Sequence, residues 1–278
     1  MLTLLICLVI LNYLVESLIK ILNFKESKKP LHPTLANLYS ESEYRRSLEY
    51  SQANFTLSLS NSTSSILIMV TALGFGIFGE LDTFVRERVQ SEILIALAFF
   101  AIIGLLSDLL DLPFDIYGTF VVESKFGFNK TTPLTFTFDK LKGYGLAGVI
   151  GGALLSLIIF IYQEIGNTFW ILGWLLLSAF SLVMFMFGTT LILPLFNKLK
   201  PLENGELKEE ILQYCGQEGY AISRLFAMDA SKRSSKANAF FAGLGKSKTI
   251  VLFDTLIEKL STQEIMAVLA HEIGHFKK

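Results

Sequence analysis

A chain of 278 residues that is 52% hydrophobic and 18% charged, with mean hydropathy +0.52, is too apolar for an ordinary soluble domain. Its formal net charge of −1 excludes the overall basic field of a nucleic-acid binder. Its two cysteines, Cys7 and Cys215, form neither a disulfide framework nor a C-x-x-C metal site, so the lipid bilayer is the solvent to consider first.

A helix needs about 20 mostly apolar residues to cross a bilayer. Five stretches meet that need: 2–22, 65–84, 93–112, 144–165 and 169–196. The first lacks a basic start and a small-residue cleavage site, so it reads as a retained anchor rather than a signal peptide. The last is long for one crossing and is expected to tilt or to extend past the hydrocarbon. Lys25, Lys28, Lys29, Arg45 and Arg46 load the first loop with positive charge, and Lys125, Lys130, Lys140 and Lys142 load the third. In the second loop Arg86 and Arg88 are diluted by Glu80, Asp82, Glu87 and Glu92. The positive-inside rule then puts loops one and three and the C-terminal part in the cytoplasm, with the N-terminus outside. The sequons at Asn54, Asn61 and Asn129 fall in cytoplasmic loops on this reading and are expected to stay unmodified.

Two G-x-G-x-x-G matches occur, Gly74-Gly76-Gly79 and Gly143-Gly145-Gly148. Neither follows a strand, and both lie in or beside apolar spans. They read as helix-packing glycines, with Gly148 and Gly152 as a small-xxx-small pair, and not as a nucleotide site. Glu16, Asp108 and Asp111 lie in or near spans, either facing a wet cavity or placed at the interface.

Residues 1–197 thus read as a membrane domain, and the texture changes from residue 198 to 278. An amphipathic helix is predicted over 207–218, strands over 225–229 and 249–253, and an extended segment over 237–242 after a basic loop at 231–236. A further helix begins near Ser261, where Ser261 and Glu264 match a capping box. The predicted fold is mainly α: a polytopic membrane helix bundle of five spans with a small cytoplasmic α+β portion.

That last helix carries the chemistry. His271-Glu272-Ile273-Gly274-His275 sets two histidines four apart, on one face of a helix. Imidazoles at that spacing grip one Zn²⁺, and Glu272 reaches the metal's water as general base. The bland alternative is a chance match on an amphipathic helix. The capped start and the small residues Ala267, Ala270 and Gly274 argue against it.

Several separated segments resemble the type I CAAX prenyl endopeptidases, integral-membrane zinc proteases. They are Tyr44-Arg45-Arg46-Ser47 with Tyr50, Phe114-Asp115-Ile116-Tyr117, and Val122-Glu123-Ser124-Lys125-Phe126-Gly127-Phe128-Asn129. Pro194-Leu195-Phe196-Asn197-Lys198 and Asp229-Ala230-Ser231-Lys232-Arg233-Ser234-Ser235 follow. The set closes with Asn238-Ala239-Phe240-Phe241-Ala242-Gly243, Ile250-Val251-Leu252-Phe253-Asp254-Thr255-Leu256 and the histidine pentapeptide. The resemblance implies seven membrane helices in the complete protein around a water-filled chamber. It implies one zinc, and cleavage near the C-terminus of prenylated CAAX proteins, with the substrate added as a strand along Asn238, Ala239, Phe240, Phe241, Ala242 and Gly243. It places the protein in the endoplasmic reticulum membrane of a eukaryote or the cell membrane of a bacterium. Prenylated peptides and lipid are the expected partners, with no nucleotide or nucleic acid.

The family's third zinc ligand, a glutamate on a later helix, is expected downstream of Lys278. The chain is accordingly read as the front part of the enzyme, and alone it is expected to bind zinc weakly and to cleave little. Asp254 and Glu258 are the nearest upstream acids, and the family gives neither that role. Two other readings compete: a membrane quality-control metalloprotease of the related heat-shock type, and a catalytically silent membrane scaffold.

Overall fold

Long apolar runs become long helices because a backbone in hydrocarbon must satisfy its amides internally. A computed structural model of the chain describes residues 1–30, 40–219, 222–243 and 248–277, the side chains of 275–277 excepted. His32 lies outside the described residues. The chain divides into two units, Met1–Gly127 and Phe128–Lys278.

In the first unit α1 (Leu2–Ser27) packs along α2 (Glu41–Gly74). The rings of Phe24 and Phe55 stack at 4.2 Å, the hydroxyls of Tyr13 and Thr63 meet at 2.7 Å, and Lys20 Nζ donates to Ser62 Oγ at 2.9 Å. The hydropathy pattern predicts a loop before residue 65 and a span over 65–84. The structure corrects both. Helix α2 starts 24 residues earlier, at Glu41 behind a capping box of Ser40 and Glu43, and stops at Gly74. Gly76, at φ +70°, then turns the chain into α3 (Ile77–Arg86). Within the polar half of α2, side-chain donors turn onto carbonyls one turn back, so the helix carries these polar groups without leaving their donors unpaired. Thr56 donates to the Gln52 carbonyl, Ser62 to Ser58, Thr63 to Leu59, and Asn54 Nδ2 to Tyr50. Asn54 and Asn61 therefore sit within a helix and not in a loop.

Helix α4 (Glu92–Tyr117) runs on as a π-helical turn, Gly118–Glu123. A Cβ at Gly118 would lie 3.1 Å from Leu57 Cδ2, so glycine admits the close approach to α2. Arg46 Nη2 donates to the Phe126 carbonyl at 2.8 Å, and the Tyr50 hydroxyl donates to the Glu123 carboxylate. The Tyr50 and Phe126 rings meet edge to face at 5.1 Å. These bonds give a structural reason for the Tyr44–Tyr50 and Val122–Asn129 segments of the sequence.

The second unit opens with α5 (Pro133–Leu146), capped by Thr132 with proline at its first position. A π turn, Ala147–Gly151, leads into α6 (Gly152–Ile165). Gly166, at φ +66°, turns the chain back into α7 (Phe169–Leu191), which packs on α6. Pro194 follows the break at Ile192, so the predicted span 169–196 ends early and continues as the short α8 (Leu193–Phe196). Among the described residues four helical stretches are long and apolar enough to cross a membrane, and the last, Pro133–Phe196, comprises the two legs joined at Gly166. Among the described residues a Cβ at Gly74, Gly76, Gly79, Gly143, Gly145 or Gly148 would meet nothing within 4 Å, so no helix contact among them accounts for these glycines.

The rest is a four-stranded sheet with helices. Its elements are β1 (Leu199–Pro201), α9 (Glu206–Gln217), β2 (Arg224–Met228), β3 (Ala239–Ala242), β4 (Thr249–Phe253), α10 (Asp254–Lys259) and α11 (Thr262–Lys277). The strand order is β1-β2-β4-β3, with β2 and β4 parallel and both edges antiparallel. On one sheet face Ala239, Ile250 and Leu252 pack with Ile211 and Cys215 of α9 and Ile265, Leu269 and Ile273 of α11. On the other, Met228 and Val251 pack with Phe226, Phe240 and Leu193.

Candidate active site

The site begins with the way α11 is held. Ser261 and Glu264 form the predicted capping box: the Ser261 amide and hydroxyl each donate to Glu264 Oε2 at 2.8 Å. Bonds from the Ser261 backbone, then from its side chain, hold the Glu264 carboxyl below the usual glutamate range. Further along, Ile265, Leu269 and Ile273 recur every four residues and are at most 1% exposed. This stripe anchors the helix to the sheet, each side chain contributing about 1.5–3 kcal/mol of burial.

His271 stands two positions from both Leu269 and Ile273, which at about 100° per residue puts it opposite the buried stripe. It is exposed, and Glu272 beside it is half-buried. His275 lies in the same helix one turn on, and its side chain is outside the described ones. The sequence thus turns His271 away from the sheet core. Two imidazoles one turn apart fit the donor chemistry of zinc. Among the described residues no group of three His, Cys, Asp or Glu side chains could hold a metal. Asp254 is otherwise engaged: it accepts from the Ser231 amide at 2.8 Å and hydroxyl, and from the Thr255 amide at 2.8 Å. The Cys215 thiol is buried in the core, and burial pushes its pKa up.

The predicted substrate segment is an edge strand. Among the described residues β3 pairs only with β4, and it packs against α11. The strand itself is Ala239–Ala242; Asn238 precedes it and Gly243, at φ +88°, ends it. The register pairs Ala239 with Leu252 and Phe241 with Ile250, and the Phe253 amide donates to the Asn238 carbonyl at 3.0 Å. Because antiparallel ladders alternate, Asn238, Phe240 and Ala242 point their main-chain groups at β4, while Ala239 and Phe241 point theirs away. Asn238 Oδ1 accepts from the Ala239 amide at 2.9 Å on that outer side.

The residue types alone give no role to Arg233 or Asp139, which the structure brings together. Arg233 Nε and Nη2 donate to the two Asp139 oxygens at 2.8 and 2.9 Å, and Nη1 donates to Asn197 Oδ1 at 2.8 Å. No spacing rule reveals a pair separated by 94 residues.

A family model described as the CAAX prenyl protease N-terminal domain with five membrane helices matches residues 20–198, and peptidase family M48 matches residues 201–278. The chain is 37% identical over 281 residues to a CAAX prenyl protease 1 homolog of Oryza sativa subsp. japonica, covering 98% of this chain and 66% of that protein. It is 36% identical over 268 residues to CAAX prenyl protease 1 of Saccharomyces cerevisiae, covering 91% and 58% respectively. The crystal structure of S. mikatae Ste24p superposes with TM-score 0.91 at 33% identity, over 99% of this chain and 67% of that one. The chain therefore spans 58–67% of the length of these three proteins.

Proposed function

The chain belongs to peptidase family M48, with the N-terminal membrane domain of the CAAX prenyl proteases, and from that premise we propose that the complete protein is a zinc-dependent membrane endopeptidase that cleaves prenylated CAAX-type peptides. The observation that carries this reading is the placement of α11: its apolar stripe is buried, His271 is turned outward, and a strand at the sheet edge lies beside it.

In this mechanism His271 and His275 hold the metal, and a third ligand, by the resemblance a glutamate beyond Lys278, completes the set. Bound zinc supplies a Lewis acid and a water acidified toward neutrality. The Glu272 carboxylate takes the proton from the attacking water and returns it to the leaving amine. The outward main-chain groups of β3 pair with the peptide and hold it extended. Strand addition fixes the scissile bond without demanding one sequence, which suits substrates defined by a lipid and a C-terminus. We place the functional boundary near 197/198, with residues 1–197 as the membrane domain; the two family matches, which meet there, support it. The endoplasmic reticulum location, and an N-terminus on the opposite side from the zinc helix, belong to the same proposal.

The test uses the complete protein. Glu272→Gln keeps its zinc and loses about 10²–10⁴ in kcat, whereas His271→Ala loses the metal. Full activity of Glu272→Gln overturns the mechanism. Equal cleavage of prenylated and unprenylated peptides overturns the substrate class and favours the quality-control alternative.

A further inference from the structure

The connection between β2 and β3 is fastened from several directions. At its start, Asp229 Oδ1 accepts from the Lys198 amide at 2.6 Å. In its middle, the Arg233 carbonyl accepts from the Lys130 amide at 3.0 Å and the Thr131 hydroxyl at 3.1 Å. The Ser235 amide donates to the Phe128 carbonyl at 3.0 Å, and the Thr255 hydroxyl to the Lys236 carbonyl at 2.8 Å. At the centre lies the bidentate pair of Arg233 with Asp139 of α5, whose side chains are only 20% and 24% exposed. The third guanidinium nitrogen holds Asn197, at the C-terminal end of α8. One side chain therefore joins a helix of the membrane-capable stretch, the end of that stretch, and the segment that delivers β3 beside α11.

We infer that Arg233, held by Asp139, is a positioning residue that sets where the substrate-pairing strand β3 stands relative to the zinc helix. A planar fork gripping a carboxylate fixes direction as well as distance, which a lysine cannot reproduce. A strand displaced by about 1 Å misplaces the scissile carbonyl and costs up to about 10²-fold. The inference rests on the strand-addition reading proposed above.

The experiment is a two-way cycle in the complete, zinc-loaded protein. Arg233→Ala, Asp139→Ala, their double variant, Arg233→Lys and the milder Asn197→Ala are each assayed with a CAAX-type peptide. The same peptide is also assayed with backbone N-methylation at the amide that pairs with β3. Zinc content and thermal unfolding are measured alongside. The expected result is a roughly 10- to 100-fold fall in kcat/KM for Arg233→Ala, carried mainly by KM, with zinc retained. Asp139→Ala and the double variant fall no further, and Arg233→Lys regains little. N-methylation weakens the wild type but adds little to Arg233→Ala, since the pairing it removes is already lost. If Arg233→Ala does not fold, Asn197→Ala shows the same non-additivity at smaller amplitude. Unchanged kinetics, or N-methylation penalties that add fully to each variant, overturn the inference alone. A wild type indifferent to N-methylation overturns strand addition, and this inference with it.

Discussion

Leucine and isoleucine live in two different solvents in this chain. On α4, Leu105, Leu106, Leu109 and Leu110 are 47–57% exposed; on the sheet and α11, Ile250, Leu252 and Leu269 are 0% exposed. The residue types match, so composition does not tell the regions apart. What differs is the partner that removes each side chain from water: lipid around a single helix, or protein from several elements. The first solution needs only length and hydropathy. The second needs a register, a strand order and a capped helix, and it is where the histidines are held.

Core truncation sharpens that contrast most. Leu269→Ala or Ile250→Ala leaves a cavity and costs about 2–5 kcal/mol. If the exposed face of α4 meets lipid, Leu106→Ala changes transfer by only about 0.5 kcal/mol. Thermal unfolding of the complete protein in detergent reads both. Equal losses at Leu106 and Leu269 would mean that α4 is packed against protein as tightly as α11 is, and the two-solvent account would fail.

The same contrast recurs at smaller scale on the two edges of β3. Phe241 points its amide away from β4 and Phe240 points its amide at it, by the alternation of the ladder. Phe241→Pro removes no bond of the β3–β4 ladder, so it should fold, retain zinc and raise KM at least about tenfold. Phe240→Pro breaks a ladder bond and lowers the melting temperature as well. Kinetics unchanged by Phe241→Pro would remove β3 from substrate binding.

What was legible in the sequence follows this division. Apolar length announced the helices of the membrane part, and Ser261 with Glu264 announced the start of α11 correctly. The first half of α2 was not legible, because Ser58, Asn61, Ser62 and Thr63 read as loop by hydropathy. They lie in a helix that starts behind the Ser40–Glu43 capping box and packs along α1, where Thr63 meets Tyr13 and Ser62 accepts from Lys20; Ser62 and Thr63 also donate to carbonyls one turn back. The break at Gly76 was hidden for the converse reason: hydropathy is blind to a left-handed φ. In the candidate site the histidine pentapeptide and an extended segment at 237–242 are readable from local pattern, whereas the segment's role toward a substrate comes only from the family resemblance. The Arg233–Asp139 pair was not, because only the tertiary fold brings a loop arginine to a helix aspartate 94 residues away.

The smallest expected effect tests whether α11 is held by its cap or by its stripe. Glu264 has a folded pKa below the usual value because the Ser261 amide and hydroxyl donate to its ionised form. A depressed carboxyl contributes stability that is fully present above its unfolded pKa and is lost as pH falls through the folded one. Glu264→Gln keeps an acceptor for the Ser261 amide but does not titrate. The melting temperature of wild type should therefore exceed that of Glu264→Gln at pH 6, and the gap should close as pH drops below the ordinary glutamate value of about 4.3. Other carboxylates titrate in both proteins and cancel in the difference. The gap stays small throughout, since Glu264 is exposed while Ile265, Leu269 and Ile273 carry the helix onto the sheet. A gap that widens on acidification would show that the cap opposes the fold in its ionised form. A gap as large as that of Leu269→Ala would show that the cap, and not the buried stripe, presents His271 and Glu272.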